Sequence, residues 1–247
     1  MAHEYHNNVV TLDTDWAPDI MIDFVADLIK QRGVKATWFS THDSPALRRL
    51  MKEETFEIGI HPNFFPNSSQ GKTADEIIDF LLEIAPKANT YRPHSVFYNG
   101  PLFQKIVRER NLVVDSTFFL PFAENIQPTP YYLGDKSVLR VPYFWADDYI
   151  ISQQNQEDKY NPGFSLSHPG LKVYCFHPVH VYLNSTTIEN YESMKSNAVW
   201  GSNNPDDYEP FVSKQQGVQD FFIGLLDIMK NTEDSIFLND IYKNYFQ

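Results

Sequence analysis

The chain of 247 residues contains a single cysteine, Cys175, so it cannot form an internal disulfide. Such cysteine usage fits a reducing compartment. The cysteine stands in the apolar run VYCF, where a buried structural thiol is expected rather than a nucleophile. The amino-terminal segment MAHEYHNN lacks the apolar core of a secretory signal peptide, which favours a cytoplasmic location.

Long hydrophobic runs and positive charge are also scarce. No apolar stretch is long enough to span a bilayer, so no membrane span is expected. Twenty Lys and Arg residues against 32 Asp and Glu residues give a net charge of −12, which argues against nucleic acid or an anionic membrane surface as the main partner. Hydrophobic residues make up 42% of the chain and aromatic residues 15%, which is ample for a core. We expect a single domain that spans residues 1–247.

Apolar, β-branched runs alternate with amphipathic helical patterns along most of the chain. The predicted strands are VVTLD, VKATWFS, FEIGIH, a fourth within TYRPHSVF, then LVVDSTFF, VLRVPYFW and LKVYCFHPVHVYL. Pro18 and Gly33 bound the first predicted helix, and Ser44 is the expected N-cap of the second. Thr73 and Glu76 form a capping box at the third. Helices are missing after the fifth and sixth strands, so the pattern predicts an α/β fold with an irregular, partly open barrel of seven strands.

Two further stretches are predicted to be irregular. Residues 184–216 are polar and contain SNNPDD, and a loop of that length in a compact domain usually forms a lid or a mobile segment. The aromatic segment PTPYYLG is expected to be a loop whose rings pack against the protein, and stacking of these rings on a sugar is the alternative.

Two carboxylates, Asp13 and Asp15, end the first predicted strand in VVTLDTDW. Residues two apart in a strand point to the same side, so both acids emerge together at the carboxyl end, where α/β folds place their chemistry. Their mutual repulsion would be offset by a metal ion, with one acid as ligand and the other as a base. The alternative is a solvated strand end whose acids cap the next helix.

Histidines and further acids follow the other predicted strands. In chain order these strand ends carry Thr41, His42 and Asp43, then His61, Pro62 and Asn63, then Arg92 and His94, then Asp115 and Ser116, then Trp145, Asp147 and Asp148, and finally His177 and His180. Five of the eight histidines therefore fall at one predicted face. A single strand-end histidine is usually structural, but five beside paired acids indicate a metal-dependent hydrolytic site. His180 would face away from His177 on a continued strand, so we expect a structural role for it.

The motifs TLDTDW, VKATWF, EIGIH, YRPH and VYCFHP, in this order, resemble those of the polysaccharide deacetylase family, also called the NodB-homology or carbohydrate esterase 4 family. EIGIH is especially similar to the family signature EIG-x-H. Within the family, the chain looks most like the WbmS-like branch, which is linked to O-antigen sugar biosynthesis. The resemblance covers nearly the whole chain. It implies a barrel of the NodB type and an N-acetylated sugar as substrate.

The resemblance also implies catalytic roles for matched residues. Asp13 would be the general base, and Arg92 would hold it in its charged form. His177 would be the general acid that protonates the leaving amine, and Asp147 would orient it. The family's Arg-x-Pro-Tyr is altered here, because Pro93 follows Arg92 directly and no tyrosine comes after it. The backbone oxyanion donor usual at that tyrosine is therefore left unassigned.

The resemblance implies a divalent metal as cofactor, and we expect that metal to be Zn²⁺. Asp15 and His61 match the family's first two ligands, but Phe65 occupies the position of the usual second histidine, and its ring cannot bind metal. His94 is the nearest replacement, from a different strand. Asn63 is a weaker candidate, because a neutral amide binds zinc poorly.

The expected function is metal-dependent hydrolysis of N-acetyl groups on a carbohydrate, in surface polysaccharide biosynthesis. Two alternatives stay open at the level of sequence. The first is a cyclic-amide or ureide hydrolase, since the same fold hosts such enzymes. The second is a catalytically silent sugar-binding protein that has lost its metal.

Overall fold

The computed structural model describes residues 4–153, 160–197, 200–232 and 235–246. Within them, nine strands form one curled, open sheet: β1 (Asn8–Asp13), β2 (Ala36–Ser40), β3 (Phe56–Ile60), β4 (Thr90–Tyr91), β5 (Val114–Asp115), β6 (Thr129–Leu133), β7 (Lys136–Arg140), β8 (Trp145–Ala146) and β9 (Lys172–Phe176). Their order across the sheet is β6-β7-β5-β4-β3-β2-β1-β9-β8, so β6 and β8 are its edges. All neighbours are parallel except β6 and β7, which form an antiparallel hairpin. The predicted α/β fold with a partly open barrel is confirmed.

Ten α-helices lie in the described part of the chain: α1 (Asp19–Lys30), α2 (Pro45–Leu50), α3 (Ala74–Ile84), α4 (Gly100–Glu109), α5 (Asp147–Ser152), α6 (Pro162–Leu166), α7 (Pro178–Tyr182), α8 (Ile188–Asn197), α9 (Val218–Thr232) and α10 (Leu238–Phe246). Two predicted caps are confirmed, because Ser44 accepts a hydrogen bond from the backbone of α2, and Thr73 with Glu76 forms the capping box of α3. No helix of the described residues has the length and apolar character needed to cross a membrane.

The central strands are buried on both faces, which explains why apolar residues point to both sides of β1, β2 and β9. Val10 and Leu12 of β1 face a large core cluster shared with α1, α2, α7 and α9, whereas Val9 faces a second cluster shared with α10. A third cluster lies beneath α3 and α4. Because β1–β5 and β9 run parallel, their carboxyl ends meet at one edge of the sheet.

The last strand, β9, is shorter than the sequence pattern predicts. In LKVYCFHPVHVYL the strand ends at Phe176, and Pro178 begins α7 at its first helical position. A proline has no N–H for a strand ladder but suits the first turn of a helix. His180 therefore lies on a helix, with its ring centroid 5.6 Å from that of His177, and the prediction that it faces away from His177 on a continued strand is wrong.

Four other predictions are corrected. VLRVPYFW divides into β7 and β8, and the segment PTPYYLG supplies β6, so its tyrosines pair across a hairpin instead of forming a loop. Helices α5 and α6 lie between the last strands, where no helix was predicted. The stretch 184–216 contains α8 and two short 3₁₀ turns, and it buries Met194 and Tyr208, so its described residues are packed rather than an open loop.

Candidate active site

A cavity of about 440 Å³ opens at the carboxyl edge of the sheet. Six of the seven residues predicted for the site line it, and the seventh, Asp147, is hydrogen-bonded to one of them. The lining six are Asp13, Asp15, His61, Arg92, His94 and His177. The parallel strands therefore bring together residues that are far apart in the sequence, because these residues follow strands whose carboxyl ends meet at one edge of the sheet.

Three of these side chains form a group with the geometry of a metal site. Asp15 Oδ1 lies 3.2 Å from His61 Nε2 and 3.3 Å from His94 Nδ1, and the two histidine nitrogens are 3.3 Å apart. Zinc bonds of 2.0–2.1 Å in a tetrahedral site separate the ligand atoms by about 3.3–3.4 Å. Asp15 Oδ1 is buried and has no hydrogen-bond partner among the described residues, which leaves its lone pairs for a cation. The donor set of one carboxylate and two imidazoles therefore fits a divalent ion such as Zn²⁺, with a fourth position open.

Two backbone segments hold these ligands in unusual conformations. Asp15 and the following Trp16 both have positive φ, 42° and 55°, and Ser95 and Val96, which follow His94, have φ of 53° and 50°. Successive non-glycine residues in the left-handed region are strained, most of all a β-branched valine. The Trp16 N–H donates to Thr41 Oγ1 at 2.9 Å, which fixes the first of these turns.

A close approach of β3 and β4 brings His61 and His94 together. Gly59 of β3 lies so near β4 that a Cβ atom there would be 2.7 Å from the carbonyl oxygen of Thr90, so a side chain does not fit. Beyond the strands, the His94 N–H donates to the Pro62 carbonyl at 3.0 Å. The glycine of the EIGIH motif therefore serves the site geometry, because it lets two strands approach closely enough for their histidines to meet.

Asp13 forms a buried ion pair with Arg92. Arg92 Nη1 donates to Asp13 Oδ1 at 2.9 Å and to Thr11 Oγ1 at 2.9 Å, and Nη2 donates to Ser116 Oγ at 2.9 Å. The guanidinium is sandwiched between the Phe39 and Tyr143 rings, 4.6 and 4.5 Å from their centroids. Burial works to raise the pKa of Asp13, but Arg92 and the neighbouring histidines outweigh it and lower that pKa, so the carboxylate is ionised.

His177 and Asp147 form a second buried pair. Asp147 Oδ1 lies 2.6 Å from His177 Nδ1, and Oδ2 accepts from the His177 backbone N–H at 2.7 Å. Burial opposes a charged imidazole, but Asp147 outweighs it and raises the pKa of His177 well above its usual value. Burial also raises the pKa of Asp147 to about 6. His177 Nε2 points to the cavity, 3.7 Å from Asp15 Oδ2, so the ring can present a proton there.

Some residues of the site were not expected from the sequence. The Cys175 thiol donates to Asp13 Oδ2 at 3.3 Å, so this cysteine contacts the site rather than only the core. The sequence contained a signal for this contact, since Cys175 stands two residues before His177, which follows β9 with extended backbone, and residues two apart in an extended segment point to the same side. The Trp16 ring meets His94 edge to face, with centroids 5.5 Å apart.

Other candidates lie outside the group of ligands. Asn63 Oδ1 accepts from the backbone of Phe65, so the amide fixes a turn rather than facing the histidines. Phe65 itself is 42% exposed and is not among the residues that line the cavity. His180 is buried next to His177 and contacts Ser185 Oγ at 3.2 Å, and burial lowers its pKa to about 3, so this ring is neutral and structural.

The sequence and the structure were compared with those of known proteins. No curated protein sequence matches the chain. A structure of WbmS from Bordetella bronchiseptica, described as a candidate polysaccharide deacetylase involved in O-antigen biosynthesis, is 32% identical, with a TM-score of 0.76 and coverage of 90% of both chains.

Two further solved structures share the fold at low identity. The Bc1960 peptidoglycan N-acetylglucosamine deacetylase is 15% identical, with a TM-score of 0.55 over 97% of this chain and 89% of its own. The 4-α-glucanotransferase from Thermococcus litoralis is 10% identical, with a TM-score of 0.53 over 96% of this chain and 38% of its own. The sequence model of the WbmS-like polysaccharide deacetylases matches residues 10–195, and this chain therefore belongs to that family.

Proposed function

We propose that the protein is a metal-dependent hydrolase that removes the N-acetyl group from a sugar used in surface polysaccharide biosynthesis. The observation that carries this proposal is the triangle of ligand atoms from Asp15, His61 and His94, flanked by an ionised carboxylate and a protonated imidazole. A hydrolase of amides needs these three functions within one cavity. The O-antigen role described for the Bordetella relative supports the polysaccharide setting.

Asp15, His61 and His94 would hold the metal. When bound, a divalent ion there supplies a Lewis acid that polarises the acetyl carbonyl and makes water more acidic. Asp13 is kept ionised by Arg92, and its Oδ2, which the guanidinium does not engage, is the atom that accepts the proton from the attacking water. The Cys175 thiol donates to that same oxygen and holds it in place.

His177 completes the reaction at the nitrogen of the substrate. Its Nδ1 is tied to Asp147, so the ring presents Nε2 to the cavity and donates the proton that lets the sugar amine leave. Asp147 does for His177 what an orienting carboxylate does in hydrolase triads, since it fixes the tautomer and stabilises the imidazolium. Acid and base are thus two separate residues with separate counter-ions.

The direct experiment combines elemental analysis with an assay of acetate release. We expect the purified protein to bind one equivalent of Zn²⁺ and to release acetate from at least one member of a panel of N-acetylhexosamines and their oligomers. The His177→Asn variant replaces the imidazole with a smaller amide that has no acidic proton near neutral pH, so we expect it to bind the metal and to lose turnover. His6→Ala is the matched control, because His6 is exposed and away from the cavity. Stoichiometric sugar binding without metal or turnover would instead favour the sugar-binding alternative.

A further inference from the structure

A second set of metal-ligand side chains lies beside the ligand triangle of the candidate active site. It consists of Asp13, Cys175 and His177, each of which offers one donor atom within 4.8 Å of the other two. We call this set the second site. On the basis of the proposed function, we infer that the second site binds a thiophilic divalent ion, such as Cd²⁺ or Zn²⁺ in excess. This ion inhibits the enzyme, because it occupies both the base and the acid.

The donor atoms of the second site have the spacing of a metal site. Cys175 Sγ lies 3.3 Å from Asp13 Oδ2. A tetrahedral zinc ion with bonds of about 2.3 Å to sulfur and about 2.0 Å to oxygen separates two such atoms by about 3.5 Å. Arg92 engages Asp13 Oδ1, which leaves Oδ2 for an ion, and Asp147 engages His177 Nδ1, which leaves Nε2.

Asp15 faces both sites. Its Oδ1 belongs to the ligand triangle, whereas its Oδ2 lies 3.7 Å from His177 Nε2. In two-metal sites the ions lie about 3.5–4 Å apart, a distance that the two oxygens of one carboxylate can bridge. Asp15 would therefore supply a fourth donor atom to the second ion and join the two sites.

The second ion exchanges for two protons. The Sγ–H bond of Cys175 and the Nε2–H bond of the His177 imidazolium break, both protons go to solvent, and bonds from Sγ and Nε2 to the metal form. Two positive charges leave and two arrive, so the net charge of the buried site is unchanged. Burial raises the pKa of the Cys175 thiol, and Asp147 outweighs burial and raises the pKa of His177. The second site is therefore weaker than the ligand triangle and fills only when metal is in excess.

Cys175 gives the second site its own metal preference and its own spectroscopic signal. A thiolate is a soft ligand that favours ions such as Cd²⁺ and Zn²⁺, whereas the ligand triangle contains only carboxylate and imidazole donors. The thiol lines the cavity, so an ion that enters from solvent reaches it. Because Cys175 is the one cysteine of the chain, any charge-transfer band from thiolate to metal comes from this site.

The first test titrates the Zn²⁺-loaded protein with Cd²⁺ and records the ultraviolet charge-transfer band. We expect the band in the wild type and in the matched control His6→Ala, since His6 is exposed and away from the cavity. Cys175→Ser should show no band, because its hydroxyl can still donate to Asp13 but binds soft ions poorly. His177→Asn should weaken the Cd²⁺ affinity measured from the band by about tenfold or more.

The second test measures stoichiometry and inhibition with Zn²⁺. Equilibrium dialysis in excess Zn²⁺ should give two equivalents in the wild type and one in Cys175→Ser. Saturation of the second site should lower the wild-type rate of acetate release by about 10²-fold, because base and acid are both lost. Each protein is compared with its own rate at one equivalent, and the same excess of Zn²⁺ should leave the Cys175→Ser rate at that reference. Cys175→Ala is the second variant, in case serine disturbs the buried position.

The other outcomes count against the inference in different ways. No band in the wild type, or a Cd²⁺ affinity unaffected by His177→Asn, overturns the second site and leaves the deacetylase proposal standing. Equal inhibition of the wild type and both Cys175 variants shows that excess Zn²⁺ acts elsewhere and overturns the inhibitory role. If no N-acetyl sugar releases acetate, the proposed function and the inhibitory role fail together, while the band and the stoichiometry still decide whether the second site binds metal.

Discussion

Arg92 Nη1 lies 2.9 Å from Asp13 Oδ1, and both side chains are buried. Removing one partner of a buried pair leaves an uncompensated charge, which costs about 3–5 kcal/mol. The pair also fixes which oxygen of Asp13 remains for chemistry, since Oδ1 faces the guanidinium and Oδ2 faces Cys175. Stability and the proposed base function therefore depend on the same contact.

Asp13→Asn should separate the base from the ligands. The amide cannot accept the proton of the attacking water, so we expect kcat to fall by about 10²-fold or more, while Zn²⁺ binding stays within a few-fold of the wild type. The free energy of unfolding should fall by about 3 kcal/mol, because Arg92 loses its counter-ion. Acetate release, elemental analysis and urea unfolding measure the three effects.

Asp15→Asn is the matched comparison for that variant. Asp15 Oδ1 is one of the three ligand atoms, so its loss should weaken Zn²⁺ binding first and turnover as a consequence. If Asp13→Asn releases the ion and Asp15→Asn retains it, the roles of the two aspartates are exchanged.

His61→Ala should abolish the stoichiometric metal and the stabilisation that the metal provides. Saturating Zn²⁺ at about 100 times its Kd stabilises a protein by about 2.7 kcal/mol, which raises Tm. We expect this rise in the wild type and in the exposed-site variant His6→Ala, and not in His61→Ala. Differential scanning calorimetry with and without Zn²⁺ measures it, and one retained equivalent in His61→Ala would refute the ligand assignment.

His94 and Trp16 test the third ligand. His94→Gln should weaken Zn²⁺ binding by orders of magnitude and leave the fold intact, because the side chain is only half-buried and lies in a short 3₁₀ turn after β4. Trp16→Ala removes the edge-to-face contact that orients the imidazole, so we expect a smaller loss of affinity, about tenfold, which Trp16→Phe largely restores. Competition with a chromophoric chelator measures these affinities. Unchanged binding in His94→Gln would mean that another group completes the site.

The pH dependence of stability and of kcat/KM should reflect the interaction of His177 with Asp147. The pKa of His177 is raised above its usual value of about 6.5, so the contribution of its charge to stability is fully present below that pH and is lost as pH rises through the raised pKa. The His177 general acid stays protonated at pH values below its raised pKa. We therefore expect kcat/KM to fall as the pH rises above that pKa. Asp147→Asn removes the negative charge, so this alkaline limb should move to lower pH. NMR titration of the His177 ring in both proteins checks the assignment, and an unmoved limb would contradict it.

Local patterns in the sequence were sufficient for much of the fold. The β-branched runs before Asp13 and His61 predicted two central parallel strands, and the caps at Ser44 and Thr73 were predicted from side-chain chemistry within one turn. Such signals depend on a few neighbouring residues, so the strands and caps can be predicted without knowledge of the rest of the chain. Short elements gave weaker signals: β4 and β5 have two residues each, and Pro178 alone turned a predicted strand into a helix.

The sequence by itself determined which chemistry the strand ends carry, because the positions of Asp13, Asp15, His61, Arg92 and His177 follow from strand boundaries and parallel order. Only the tertiary structure decided which of these atoms meet. The separation of His94 from His61 depends on the close approach of β3 and β4 at Gly59, and the contact of Cys175 with Asp13 depends on the register of β1 and β9. Distances between strands are set by packing across the whole sheet, and no periodicity within one segment encodes them.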